Sequence, residues 1–146
     1  MKLRLLGVLT LAATIGLLLQ SGGTWAQDKK EEGKDVEVNA ELINADLKDK
    51  LRTECYCKTY TFKMTEGKTY TIEMRSVVAN FDSYLRIEDE YGKQVAEDDD
   101  SGASQTNPLD AKIVYRAPKT ADFQIICTTF GPQTGKFTLT VKDTTK

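Results

Sequence analysis

From residue 36 onward, hydrophobic and polar residues alternate along most of the chain. In one segment the apolar side chains are Tyr60, Phe62 and Met64, with polar residues between them. Successive side chains of a β-strand point to opposite faces, so a period of two places such a set on one face. The alternation predicts eight strands, at 36–43, 55–64, 69–76, 84–89, 94–98, 111–117, 122–130 and 136–142.

Turn-forming residues separate these segments, among them Gly67, Gly92, Pro108 and Pro118. Short strands with regular turn signals favour an all-β fold, an antiparallel β-sandwich or jelly roll of about eight strands. The segment 40–51 lacks a clear apolar stripe and is interpreted as a connection. The inward faces predict a core made of Tyr60, Phe62, Tyr70, Ile72, Leu85, Ile87, Ile113, Phe123, Ile125, Phe137 and Leu139.

The N-terminal segment has a different pattern. Lys2 and Arg4 precede an apolar run over 5–19, and Thr24 and Ala26 stand at the −3 and −1 positions of a cleavage site. We therefore expect a signal peptide at 1–26, a charged flexible tether at 27–35 and one domain at 36–146, with a secreted or periplasmic product that starts near Gln27. An uncleaved anchor is the alternative, although the apolar run is shorter than the about 20 residues of a membrane span.

Charge and composition exclude several function classes. The net charge is −2, and the lysines are scattered rather than clustered, which argues against nucleic acid and anionic membranes as partners. The chain contains no histidine, so Ser-His-Asp triads, Cys-His pairs and histidine-containing zinc sites are excluded. We expect a protein that is not an enzyme; a small hydrolase that uses paired carboxylates is the alternative.

The three cysteines, Cys55, Cys57 and Cys127, are an odd number for an oxidising compartment. A disulfide between Cys127 and either Cys55 or Cys57, with one free thiol, is one interpretation. The other is three reduced cysteines that pack as small apolar residues.

The segment 81–102 predicts a hairpin that gathers carboxylates at one end. If Tyr91 and Gly92 form a two-residue turn, Asp82 falls opposite Ser101, and a slip of one residue places it opposite Asp100. Calcium, which takes 6–8 oxygen ligands, would relieve the repulsion between such carboxylates. The candidate ligands are Asp82, Asp98, Asp99, Asp100 and Ser101, and calcium is the only cofactor expected. The alternative is that these side chains cap backbone N–H groups in a solvated turn.

These motifs also resemble a known family. The stretch 81–85 (Phe-Asp-Ser-Tyr-Leu), the Gly92-Lys93 turn and the run 98–102 (Asp-Asp-Asp-Ser-Gly) are similar to the bacterial pre-peptidase C-terminal domain family. The similarity extends over about 55–142 and implies a secreted β-sandwich accessory module. The related collagen-binding modules of bacterial collagenases bind calcium through an acidic N-terminal linker.

Three residues at the entrance of the domain have a spacing similar to that linker, namely Asp35, Glu37 and Asn39. Their oxygens would share one face of an extended strand. An edge strand with one wet face gives the same alternation, so both interpretations stay open.

The expected function is therefore that of an exported, non-catalytic β-sandwich module that binds an extracytoplasmic protein or polysaccharide ligand. Calcium at the carboxylate cluster would stabilise this module. Members of the family usually stand at the end of secreted peptidases, whereas here the module makes up nearly all of the expected mature chain. The alternatives are an accessory or inhibitor partner of a secreted peptidase, for which 102–107 and 131–135 are the candidate loops, and a purely structural domain.

Overall fold

A computed structural model describes residues 31–32 and 35–146. The predicted signal peptide at 1–26 and most of the predicted tether lie outside these residues. The described residues form nine strands: β1 (Glu31–Glu32), β2 (Val36–Leu42), β3 (Lys58–Met64), β4 (Thr69–Arg75), β5 (Ser83–Glu88), β6 (Gln94–Asp98), β7 (Ala111–Arg116), β8 (Ala121–Thr129) and β9 (Gly135–Asp143). Eight of them coincide with the predicted strands to within a few residues, and β1 was not predicted.

The strands form two sheets, a five-stranded sheet in the order β1-β3-β8-β5-β6 and a four-stranded sheet in the order β2-β9-β4-β7. All neighbours are antiparallel except β1 and β3, which are parallel. The predicted antiparallel β-sandwich is confirmed. Within the described residues, no helix has the length and apolarity needed to cross a membrane.

The core lies between the sheets, where the alternation predicted it. Ten of the eleven predicted residues are buried, and Tyr60 is half-buried and packs against the others. Aromatic contacts link the two layers: the rings of Phe62 and Tyr70 meet edge to face, with centroids 5.6 Å apart. The same holds for Tyr115 and Phe123.

The three cysteines are free thiols in the structure. Cys55 and Cys127 are buried, and Cys57 is half-buried. The predicted bridge to Cys127 is therefore not formed, and the thiols pack as the alternative interpretation describes. The predicted start of this strand at residue 55 was wrong as well, because the strand begins at Lys58 and both Cys55 and Cys57 precede it.

The strand order places the long connections together. The ends of β2 and β4 and the starts of β7 and β9 lie at one end of the four-stranded sheet. The starts of β3 and β5 and the ends of β6 and β8 lie at the corresponding end of the five-stranded sheet. This end, which we call the long-loop end, therefore carries the connections 43–57, 76–82, 99–110 and 130–134.

The connection 43–57 covers the outer face of the five-stranded sheet. Leu85 and Ile87 point into the core, so Arg86 points outward from β5, yet it is only 2% exposed. Its Nη2 donates to Oδ1 of Asp49 at 2.7 Å, and its Nη1 donates to Oε1 of Glu88 at 2.6 Å. All three charged side chains are buried, so this segment is fixed to the sheet through a buried ion-pair cluster.

Candidate functional site at the long-loop end

The β5–β6 hairpin has the register that places Asp82 near the acidic run. The N–H of Gly92 donates to the carbonyl of Asp89, and Gly92 has a φ of 76°, so the turn is a three-residue loop rather than the two-residue loop considered above. The pairing shifts by one residue between Ile87 and Glu88, which offsets the extra residue of the turn, so Leu85 pairs with Asp98. The ladder ends at this pair, and a turn over 99–102 follows, so the predicted opposition of Asp82 and Ser101 is not part of the observed pairing.

Two of the predicted acidic ligands act electrostatically on a third, Asp82. Burial raises the pKa of Asp82 above its ordinary value, and the negative charges of Asp100 and Asp99 raise it further. Arg52 acts in the opposite direction. The raised pKa means that the ionised form of Asp82 is disfavoured where it stands, first because the carboxyl is partly buried and second because two negative charges lie near it.

The other predicted ligands satisfy backbone groups. Oδ2 of Asp98 accepts hydrogen bonds from the N–H of Ser101 at 3.0 Å and from the N–H of Lys112 at 2.8 Å. Oδ1 of Asp99 accepts the N–H of Asp100 at 3.0 Å. These are the capping contacts of the alternative interpretation. Within the described part of the chain, no group of three or more His, Cys, Asp or Glu side chains is arranged to hold a metal ion.

The second acidic set lies elsewhere. Asp35 accepts the N–H of Asp143 at 3.1 Å, which places it at the opposite end of the four-stranded sheet. Asn39 accepts the hydroxyl of Thr138 at 2.7 Å, and Glu37 is exposed on the same outer face. The structure therefore separates this set from Asp82, and its residues follow the pattern of an edge strand with one wet face.

An arginine held between two aromatic rings lies beside Asp82. The guanidinium carbon of Arg52 is 3.6 Å from the ring centroid of Tyr84 and 4.6 Å from that of Phe130. The hydroxyl of Tyr84 donates to Glu97 at 2.5 Å, and this bond is the largest factor that lowers the pKa of Glu97. Sequence reasoning missed this cluster because Arg52 comes from a connection without periodicity; the only signal was an aromatic residue, Tyr84, at an outward position of its strand.

A second feature of the long-loop end is an open groove. It lies on the outer face of the four-stranded sheet, whereas the arginine cluster lies on the five-stranded sheet. Its volume is about 590 Å³. Cross-strand pairing builds it from two rows: Asn39 faces Thr138, which faces Arg75, and Glu41 faces Lys136. The lining residues are Asn39, Ala40, Glu41, Arg75, Val77, Lys136, Phe137 and Thr138. The sequence did not indicate the groove, because three strands distant in sequence contribute to it.

The nucleophiles of the domain are poorly placed for chemistry. Burial, followed by the charge of Asp49, raises the pKa of the Cys57 thiol to about 11, so this thiol is protonated at neutral pH. Burial also raises the pKa of Cys127. The Ser76 hydroxyl donates to the carbonyl of Lys136 at 2.6 Å, and that of Ser104 donates to Asp110 at 2.8 Å. These hydroxyls tie connections together.

The loop 102–107 packs against the sandwich. Asn107 is buried, and its amide donates to the carbonyl of Phe81 at 2.9 Å. A Cβ at Gly102 would stand 2.7 Å from the carbonyl oxygen of Asp110, so the backbones approach closely there. This candidate inhibitory loop is therefore held down at both ends.

Comparisons with known proteins identify the fold. No protein family matches the sequence, and no curated protein matches it. Among solved structures, the chain is similar to the pre-peptidase C-terminal domain of collagenase from Bacillus anthracis, with a TM-score of 0.56 and 16% identity over 79% of this chain and 96% of that one. The resemblance expected from the motifs is thus confirmed at the level of the fold, and the protein has the architecture of a pre-peptidase C-terminal domain.

Proposed function

We propose that the protein is an exported, non-catalytic module that binds an extracytoplasmic protein or polysaccharide through the long-loop end. The observation that carries this proposal is the convergence of four long connections at one end of a rigid sandwich. Binding residues are concentrated on such loops because a rigid scaffold positions them while their sequence stays free to vary. The end also carries an open groove and exposed side chains, among them Phe130.

The chemistry of the side chains supports binding rather than catalysis. The chain has no histidine, and the raised pKa of Cys57 keeps that thiol protonated. The groove is open, whereas sites for small substrates enclose most of the ligand surface. The similar domain from Bacillus anthracis is part of a collagenase, which supports a role outside the cytoplasm.

Calcium is part of the proposal. Burial is the main cause of the raised pKa of Asp82, and the charges of Asp100 and Asp99 add to it; a calcium ion near these three carboxylates would relieve the second contribution and stabilise the long-loop end without taking part in a reaction. In this role the ion adds to stability by binding only the folded state.

Retention of the purified protein on immobilised extracellular proteins and polysaccharides tests the proposal, together with assays for hydrolysis of peptides and glycosides. Phe130→Ala removes an exposed ring at the long-loop end, and Tyr91→Ala removes one at the opposite end. We expect weaker retention for the Phe130 variant, unchanged retention for the Tyr91 variant and no hydrolysis. Turnover of a substrate, or equal loss in both variants, contradicts the proposal. Mass spectrometry of the exported protein should find Gln27 as its first residue.

A further inference from the structure

The four-stranded sheet ends in two edge strands whose charges are opposite. Within residues 31–32 and 35–146, β2 pairs only with β9, and β7 pairs only with β4. The charged residues of β2 are Glu37 and Glu41, and those of β7 are Lys112 and Arg116. Both sets alternate with residues that face the core, so both lie on the outer face of the sheet. On this face, one edge is therefore acidic and the other is basic.

The same residues direct their main-chain groups away from the sheet. The N–H of Lys112 donates to Asp98 of the other sheet at 2.8 Å, so the even-numbered residues of β7 point away from β4. The N–H of Asp143 donates to Asp35 at 3.1 Å, so the odd-numbered residues of β9 bond to β2. Their partners in β2 are the even-numbered residues, which leaves the odd-numbered ones at the open edge. A strand that joins either edge therefore meets the main chain of the charged residues.

Pairing between identical edges is unfavourable. Two β2 strands paired antiparallel about their centres would set Glu37 of each copy opposite Glu41 of the other. Two β7 strands paired in the same way would set Lys112 opposite Arg116. Like charges directly opposite each other are destabilising, so both edges resist a symmetric contact.

We propose that the β2 edge of one copy of this chain pairs with the β7 edge of a second copy, so that the four-stranded sheet continues from copy to copy. β2 and β7 run in opposite directions, because each of the three steps from β2 to β7 is antiparallel. Copies in the same orientation therefore meet with antiparallel edges and with their outer faces on the same side. The two edges are different surfaces, so the contact is heterologous and repeats into a ring or a filament.

One register makes both charged pairs complementary. It sets Asn39 opposite Val114, with the main-chain groups of both residues directed at each other. The charged pairs are then Glu37 with Arg116 and Glu41 with Lys112. At Lys112 only the carbonyl joins the ladder, because its N–H is bonded to Asp98.

Charges on the adjacent strands continue the alternation. The Nζ of Lys112 lies 3.6 Å from Glu73, which also accepts Nη2 of Arg75 at 3.1 Å. Glu41 lies opposite Lys136 on β9. In the joined sheet one row reads Glu73, Lys112, and then Glu41 and Lys136 of the second copy. Negative and positive side chains follow in turn, so the contact adds to the pairs within each copy rather than replacing them.

Sedimentation velocity of the exported protein, at concentrations up to the millimolar range, tests the inference. Glu37→Arg should weaken self-association about tenfold, and so should Arg116→Glu, because each sets like charges opposite each other. In an equimolar mixture the two altered edges carry opposite charges, and so do the two unaltered edges, so association should recover. Glu54→Arg and Lys93→Glu make the same charge changes at exposed positions away from both edges and should leave association unchanged. Melting curves of all variants verify that the fold is intact.

Cysteine cross-linking tests the register. Asn39→Cys mixed with Val114→Cys, with oxidised glutathione as oxidant, should give linked pairs, since directly opposite residues have Cα atoms about 5.5 Å apart. A protein that stays monomeric at every concentration overturns the inference. So do equal effects in the control variants, absence of recovery in the mixture, and cross-linking of Asn39→Cys with itself, which would mean a symmetric contact between β2 strands.

Discussion

Replacing Asp49 by alanine is expected to destabilise the domain strongly, because it removes one of the two carboxylates that pair with the buried guanidinium of Arg86. Arg86 is 2% exposed and Asp49 is 1% exposed, and their ion pair has a 2.7 Å contact. Removal of one member of a buried pair costs about 3–5 kcal/mol. Glu88 still pairs with Arg86 at 2.6 Å, so we expect the lower part of that range. Against a total stability of about 5–15 kcal/mol, such a loss leaves a folded but weakened protein.

The same substitution should loosen the segment 43–57. Oδ1 of Asp49 also accepts the N–H of Leu51 at 2.9 Å, so the carboxylate connects the segment both to itself and to the sheet. Hydrogen exchange of amides in this segment should therefore accelerate more than exchange in the core strands.

Denaturant unfolding measures the loss, with Glu54→Ala as control. Glu54 is an exposed carboxylate in the same segment, and its removal should leave the free energy of unfolding nearly unchanged. Joint replacement of Asp49 by alanine, Arg86 by methionine and Glu88 by leucine removes the whole buried ion-pair cluster and should recover part of the loss, since no charge is then left buried without its partner. If Asp49→Ala costs less than about 1 kcal/mol and exchange in 43–57 is unchanged, the buried ion pair does not hold the segment.

Three further predictions concern the core, calcium and acid. Truncation of Phe123 or Phe137 to alanine should cost about 3–5 kcal/mol in denaturant unfolding, since both rings are almost fully buried; near-normal unfolding of both variants would mean that the inward faces are misassigned. Calcium should raise the melting temperature and a chelator should lower it, and Asp82→Asn with Asp100→Asn should abolish the response; a response that survives would place the ion elsewhere. The pKa of Asp143 is lowered to about 2, first by its hydrogen bond from Lys68, so its stabilising contribution is present above the ordinary pKa of 3.8 and is lost as the pH falls towards 2. Asp143→Asn should flatten the pH dependence of stability in that window, and an unchanged profile would refute the assignment.

The strands and the core could be predicted because one physical rule governs them. Alternation reports which side chains face the sandwich interior, and it succeeded even for β5, where Leu85 and Ile87 face inward. The same rule failed for Arg86, which alternation places in solvent. A segment without periodicity covers it, and only the tertiary structure shows that the outward face of β5 is buried.

The candidate site was predictable in part for a similar reason. The hairpin register brought Asp82 towards the acidic run, since pairing follows from the turn and its bulge. The roles of the individual aspartates did not follow, because Asp98 bonds to the N–H of Lys112, a residue of another strand. The groove depends on pairing between β2, β9 and β4, which no local pattern encodes.

Buried polar side chains explain how the long-loop end can present a fixed surface. Oδ1 of Asp110 accepts the N–H of Ser76 at 3.0 Å and the amide of Asn107 at 3.1 Å, and Asn107 also holds the carbonyl of Phe81. These bonds join the connections 76–82 and 99–110 from beneath, in a region shielded from water, where an unmade hydrogen bond is costly. The connections held in this way have little backbone freedom left to lose, so the binding proposed above would cost little loop-ordering entropy. An Asn-Pro pair that the sequence marks only as a turn thus helps to fix the long-loop end of the domain.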